Sequence, residues 1–205
     1  MSEVVTLPDW TALGPALALL ATALALLAVD MIDPNESSGV LLTGTSVTGG
    51  LVALGLALWY LFAGTGQPAA GQEPTQGALE LFGAALVVDA MSLFFTVIIA
   101  SVVVIVALAS HEYLSNHPYQ AEYYSLVLLA ATGMVTVTAA NSFVTAFISI
   151  ELVSLPSYAL VASLKSNQGS SEAGLKYFLI GALSSAVFAY GIALVYVATG
   201  SLQFD

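Results

Sequence analysis

Two side chains able to move protons stand where apolar residues are the rule. They are Glu151 in "FVTAFISIELVSLPSYALV" (143–161) and Lys176 in "SSEAGLKYFLIGALSSA" (170–186). Glu151 lies about eight residues into its apolar run, roughly 12 Å of helical rise. That depth is well inside a hydrocarbon layer roughly 30 Å thick. A charged carboxylate there costs at least about 3 kcal/mol on insertion scales, so it is expected to face protein or water. Desolvation favours its neutral form and a nearby cation favours its charged form. A carboxylate balanced between the two takes up and releases protons. Ser154 and Tyr158 follow at three and seven residues and share its helix face. Pro156 offers no N–H to the carbonyl of Leu152, which kinks the helix and frees an acceptor beside Glu151. The competing reading is a protonated glutamate hydrogen-bonded to a neighbouring helix for structure alone.

Lys176 belongs to the first turns of the following run, roughly 10 Å from Glu151 along the membrane normal by helical rise. Direct pairing is not expected at that separation, although water could link the two. Glu172 precedes Lys176 by four residues, the favoured order for a helix-surface ion pair, and a lysine so placed also snorkels. On the residues alone its structural and functional readings stand level. His111 and His117 lie six apart in a polar connection and read as satisfied loop histidines. Asp89 reads as a helix cap. Thr132, Thr136 and Thr138 either hydrate their span or bond back to their own helix. No phosphate-binding loop, GxSxG, zinc signature or haem-attachment sequence is present, and no cofactor is expected in this chain.

These residues need helices that cross a membrane, and the composition supplies them. Of 205 residues 59% are hydrophobic and only 7% charged, with a mean hydropathy of +0.95; a soluble domain carries about 25% charged residues. The expected fold is all-α, a polytopic bundle forming one membrane domain over 1–205 with a lipid bilayer as its solvent. Six spans are expected at about 11–29, 40–62, 90–110, 121–139, 143–164 and 173–198. The segment "LELFGAALVVD" before the third span is too short to cross and reads as extended or re-entrant. "SHEYLSNHPYQAEYY" reads as a polar connection with four interfacial tyrosines.

Thirteen acids face two bases, Lys165 and Lys176. Nucleic-acid binding is excluded, since nothing could neutralise phosphates, and the acidic surface suits a halophile, where salt screens repulsion. The absence of cysteine excludes disulfides and thiolate-held iron–sulfur clusters. "MSEVVTLPDW" lacks a basic n-region, so the first run reads as a retained helix. The two lysines flank the connection between spans five and six and place it in the cytoplasm, with both termini outside the cell membrane.

The block from "NSFVTAFISIELVSLPSYALVA" through "SSEAGLKYFLIGALSSA" to "YGIALVYVATGS" resembles the N-type subunits of bacterial and archaeal NADH–quinone oxidoreductase, respiratory complex I. "VVDAMSLFF" and "EYYSLVLLAATGM" look like the same family, so the likeness covers roughly 85–205 well and the first two spans in hydropathy only. It implies an antiporter-like, proton-translocating subunit driven by quinone reduction elsewhere in the complex. Quinone and redox centres would then lie in other subunits, and the partners would be further membrane subunits. Glu151 falls on the family's buried glutamate of the fifth helix, and Lys176 on a lysine of the sixth. The family has about fourteen helices built as internal repeats. Its broken seventh helix, whose lysine partners the glutamate, is not in this sequence, which implies a split or truncated subunit. The alternatives are a subunit of a multisubunit sodium/proton antiporter and a non-transporting scaffold.

Overall fold

A computed structural model describes residues 9–32, 39–63, 78–114, 117, 119–163 and 168–204. A 3-10 turn, Asp9–Leu13, leads into α1 (Gly14–Ile32), and α2 (Gly39–Ala63) runs back. A hairpin of β1 (Leu79–Leu81) and β2 (Leu86–Val88) precedes α3 (Ala90–Leu114), α4 (Gln120–Thr138), α5 (Phe143–Ser163) and α6 (Gln168–Thr199). All six helices are long and apolar enough to cross a membrane. Each apolar run becomes a helix because, in lipid, backbone groups must pair within the segment.

α4 is the centre of the molecule, packed on α1, α2, α3 and α5. Four consecutive residues at its start address those neighbours in turn. Tyr123 bonds Ser110 of α3 at 2.9 Å, Tyr124 bonds Thr43 of α2 at 2.8 Å, and Ser125 donates to the Ala23 carbonyl of α1 at 2.9 Å. Glu122 stands three turns, eleven residues, before Gly133 and so shares the face that Gly133 presents to α5. The apolar core shared by α1, α2, α3 and α4 is built from Leu19, Leu26, Leu42, Val103, Leu114 and Leu128, with Tyr124 only 1% exposed.

Small residues set the helix spacings, the usual device where lipid gives helices no hydrophobic reason to associate. A Cβ on Gly133 would lie 2.7 Å from the Val153 amide nitrogen and 2.8 Å from the Ser149 carbonyl oxygen, so α4 and α5 meet backbone to backbone. Gly49 rests on Thr22 of α1 and Gly50 on Val104 of α3, whereas Gly55 has open space beside it.

Asp89 caps α3 as expected: its Oδ1 accepts from the Ser92 amide at 2.7 Å, and Ser92 Oγ accepts from the Asp89 amide at 2.9 Å. "LELFGAALVVD" is extended, a hairpin paired Leu79 to Val88 and Leu81 to Leu86. Its turn holds Phe82, Gly83 and Ala84 at positive φ. The hairpin joins two other segments in a small hydrogen-bonded plate. The Val87 amide donates to Ala139 O at 2.7 Å, and the Asn141 amide donates to Ala85 O at 3.0 Å. The Phe143 amide donates to Leu202 O at 2.8 Å, and Gln203 Nε2 reaches Gly83 O at 3.0 Å. The chain after α6 is thereby fastened to the end of the bundle at which α1 begins.

The expectation for residues 110–124 is corrected. The connection at 110–124 is shorter than it read, because α3 continues to Leu114 and α4 starts at Gln120. His111 is therefore a residue of α3, and Tyr123 and Tyr124 pack inside the bundle rather than lining an interface. Thr132, Thr136 and Thr138 all donate to carbonyls of their own helix, at 2.8–3.0 Å. Lys165 lies outside the described residues.

Candidate functional site

α5 lies between α4 and α6 and carries different residues towards each. Ser149 and Pro156 are buried, and the backbone at Ser149 and Val153 meets Gly133 of α4. Towards α6, Phe147 stacks on Phe188 with ring centroids 5.8 Å apart. Tyr158 meets Tyr177 edge-on at 4.7 Å and Phe178 at 5.9 Å, and Gly181 leaves the room its hydroxyl occupies. Glu151 and Ser154 fall between Phe147 and Tyr158 at steps of four, three and four residues, on the same α6-facing stripe. The antiparallel register of those ring contacts sets Glu151 opposite Ser184.

Glu151 is half-buried, and its Oε1 is shut from solvent with no hydrogen-bond partner. The hydroxyls near it are committed to their own helices. Ser154 Oγ donates to Ile150 O at 2.8 Å, Ser157 Oγ to Val153 O at 2.7 Å, and Ser184 Oγ to Ile180 O at 3.0 Å. Pro156 stands inside α5 and gives the Leu152 carbonyl no N–H. A buried carboxyl oxygen left without a hydrogen-bond partner is costly unless a donor reaches it, so the site is open to a partner that the described residues do not supply.

The structure does not bring Lys176 to Glu151. In the α5–α6 register Lys176 is level with Ala159, about 12 Å of rise from Glu151. Its side chain is 69% exposed and its Nζ pairs with Glu172. Ser154 and Tyr158 share the helix face of Glu151, whereas Pro156 stands with Ser149 on the buried face. Sequence reasoning missed two features. His111 Nδ1 lies 2.8 Å from Thr43 Oγ1, which also bonds Tyr124 and donates to Gly39 O, so the histidine ties α2, α3 and α4 together. Glu122, the first acid of α4, also has one oxygen, Oε2, buried without a partner. Its place in the first turn of a span was the available signal. No cluster of three or more His, Asp or Glu side chains suited to a metal occurs among the described residues.

Residues 140–205 match the family model described as "NADH:quinone oxidoreductase/Mrp antiporter, TM". The chain is 34% identical over 189 residues to F(420)H(2) dehydrogenase subunit N of Methanosarcina mazei, covering 92% of this chain and 37% of that protein. It is 34% identical over 202 residues to NADH-quinone oxidoreductase subunit N 2 of Koribacter versatilis, covering 94% of this chain and 38% of that one. Its fold is similar to a chain of respiratory complex I from Thermus thermophilus with a TM-score of 0.72 at 27% identity, covering 93% of this chain and 38% of that chain. The chain thus spans a little over a third of the length of the relatives it matches.

Proposed function

We propose, for a multi-pass chain that belongs to the antiporter-like membrane subunits of complex I, that it supplies one proton station in such an assembly. Glu151 is that station. It takes up a proton and gives it up when a cation or water reaches the α5–α6 seam. Quinone reduction in other subunits drives the exchange, and the redox centres belong to those subunits. The observation that carries this reading is the buried, unpartnered Oε1 of Glu151 beside the proline-interrupted backbone of α5. Lys176 acts at a distance, releasing Glu172 to bias the field along α6 when the neighbouring helices of the full assembly are in place. Ser154 and Tyr158 hydrate the seam, and Pro156 lets it open.

The test is Glu151→Gln in the assembled complex, reconstituted in sealed vesicles. Proton uptake is expected to stop while quinone reduction continues with an uncoupler present. Uptake at the parent rate sinks the proposal. A second reading is favoured by the words of the family model, which join the oxidoreductase to an antiporter. If vesicles from the parent protein accumulate sodium in exchange for protons without quinone turnover, the chain serves an antiporter complex instead. Orientation follows from the lysines flanking the α5–α6 connection, which put that connection in the cytoplasm and both termini outside. A cysteine introduced at Gln203 should react with an impermeant reagent added outside whole cells.

A further inference from the structure

Among the described residues that are not exposed, two side-chain oxygens are buried with no hydrogen-bond partner, Oε1 of Glu151 and Oε2 of Glu122. Both flank α5. Glu122 is on the α4 face that meets α5, in line with Gly133 three turns on. Gly133 sits between Ser149 and Val153, level with Glu151. Glu122 is therefore about 16 Å along the seam from the glutamate of α5, at the end where α5 finishes and α6 begins.

The ordinary job of an acid in a first turn is to offset the positive end of the helix. That job is done best with both oxygens in water or on the free amides, and it gives no reason to bury Oε2. α5 carries the polar groups between the two levels: Tyr158, Ser157, Ser154 and the Leu152 carbonyl left without a donor by Pro156. They begin about 6 Å along α5 from the depth of Glu122 and lie on both sides of the helix down to the depth of Glu151.

We propose that Glu122, on the α4 side of α5, is the proton-loading group for Glu151 on its α6 side. Its carboxylate takes a proton from the aqueous side, forming an O–H bond on Oε2. That bond then breaks in favour of water and hydroxyl groups beside α5, and the proton ends on Oε1 of Glu151 as Glu122 returns to a carboxylate. One proton enters, one arrives, and no electron moves. The inference rests on Glu151 being a proton station and adds how that station is filled.

The experiment uses the whole complex in sealed vesicles, with a pH dye reporting proton uptake per quinone reduced and thermal unfolding measured alongside. Glu122→Gln, Glu122→Asp and Glu151→Gln are compared. Glu122→Gln is expected to slow uptake at least tenfold at unchanged unfolding temperature and uncoupled quinone reduction, and Glu122→Asp to recover most of the rate. The carboxylic C=O stretch that appears in infrared difference spectra on acidification should lose one component in Glu122→Gln and a different one in Glu151→Gln. If Glu122→Gln pumps at the parent rate while Glu151→Gln does not, the loading role is overturned and the Glu151 station stands. If both variants pump normally, both fall. If Glu122→Gln and Glu122→Asp lower the unfolding temperature alike and the aspartate restores no uptake, Glu122 is structural and the proposal is overturned.

Discussion

In the α1–α4 bundle, Thr43, Tyr124 and His111 satisfy one another across three helices, and Ser125 finds the carbonyl of Ala23 on a fourth. In the α5–α6 pair, the carboxylate of α5 has an oxygen with no partner, and the lysine of α6 turns outward to a glutamate on its own surface. The helices differ in the same sense. α4 has a mean hydropathy of 1.2 and half of its span is buried, whereas the span of α6 has a mean of 2.1 and none of its described side chains is buried. α4 tolerates polarity because protein surrounds it. α6 meets chiefly α5 and must be apolar elsewhere. Polar groups that have partners fix how helices pack, and those without partners remain available for exchange.

The largest expected effect comes from breaking the contact that joins the two regions. Gly133→Leu drives a side chain into the backbone of α5, and since overpacking costs about 1–3 kcal/mol and sometimes more, a loss near the top of that range is expected. Thermal unfolding in detergent measures it, and Gly55→Leu, beside open space, is the control that should stay near the parent. Next, Tyr124→Phe removes the bundle's central hydrogen bond and should cost about 1 kcal/mol. A double-mutant cycle with Thr43→Val checks it. Coupling near zero would mean that the bundle gains nothing from its partnered polar groups. Asp89→Ala removes the α3 cap and should cost about 1 kcal/mol, with Asp89→Asn recovering most of it. Smallest is Lys176→Ala. An exposed i,i+4 pair contributes at most a few tenths of a kcal/mol, so unfolding should hardly change, and a larger loss would show that the outward lysine is held by more than Glu172.

Much of this was legible in the sequence, for physical reasons. Lengths and breaks of apolar runs gave six spans to within a few residues, except that α3 and α6 run further. The cap at Asp89 and the pair Glu172–Lys176 are local, so spacing alone revealed them. What stayed hidden was long-range. Tyr123, Tyr124 and His111 looked like surface residues of a connection because a polar side chain that faces another helix resembles one that faces water. Glu122 went unnoticed for the same reason. The seam around Glu151 was half legible. Ser154, Pro156 and Tyr158 follow from helical spacing, but the separation of Lys176 depends on the register that Phe147, Phe188, Tyr158 and Tyr177 set between two helices.

The plate at the end of the bundle bears on how the chain comes to be made. Its hydrogen bonds join the turn at Gly83 to Gln203, 120 residues apart. At about 5–20 residues per second, a ribosome needs on the order of 10 s to deliver the second partner after the first. Throughout that interval the hairpin and the α4–α5 turn can pair with each other, while Gly83 O and the Phe143 amide wait for their partners. The segment after α6 can be fastened to the end of the bundle only when it arrives, well after α4 and α5 have met at Gly133. The bonds that complete the plate are therefore among the last tertiary contacts a chain made in this order can form.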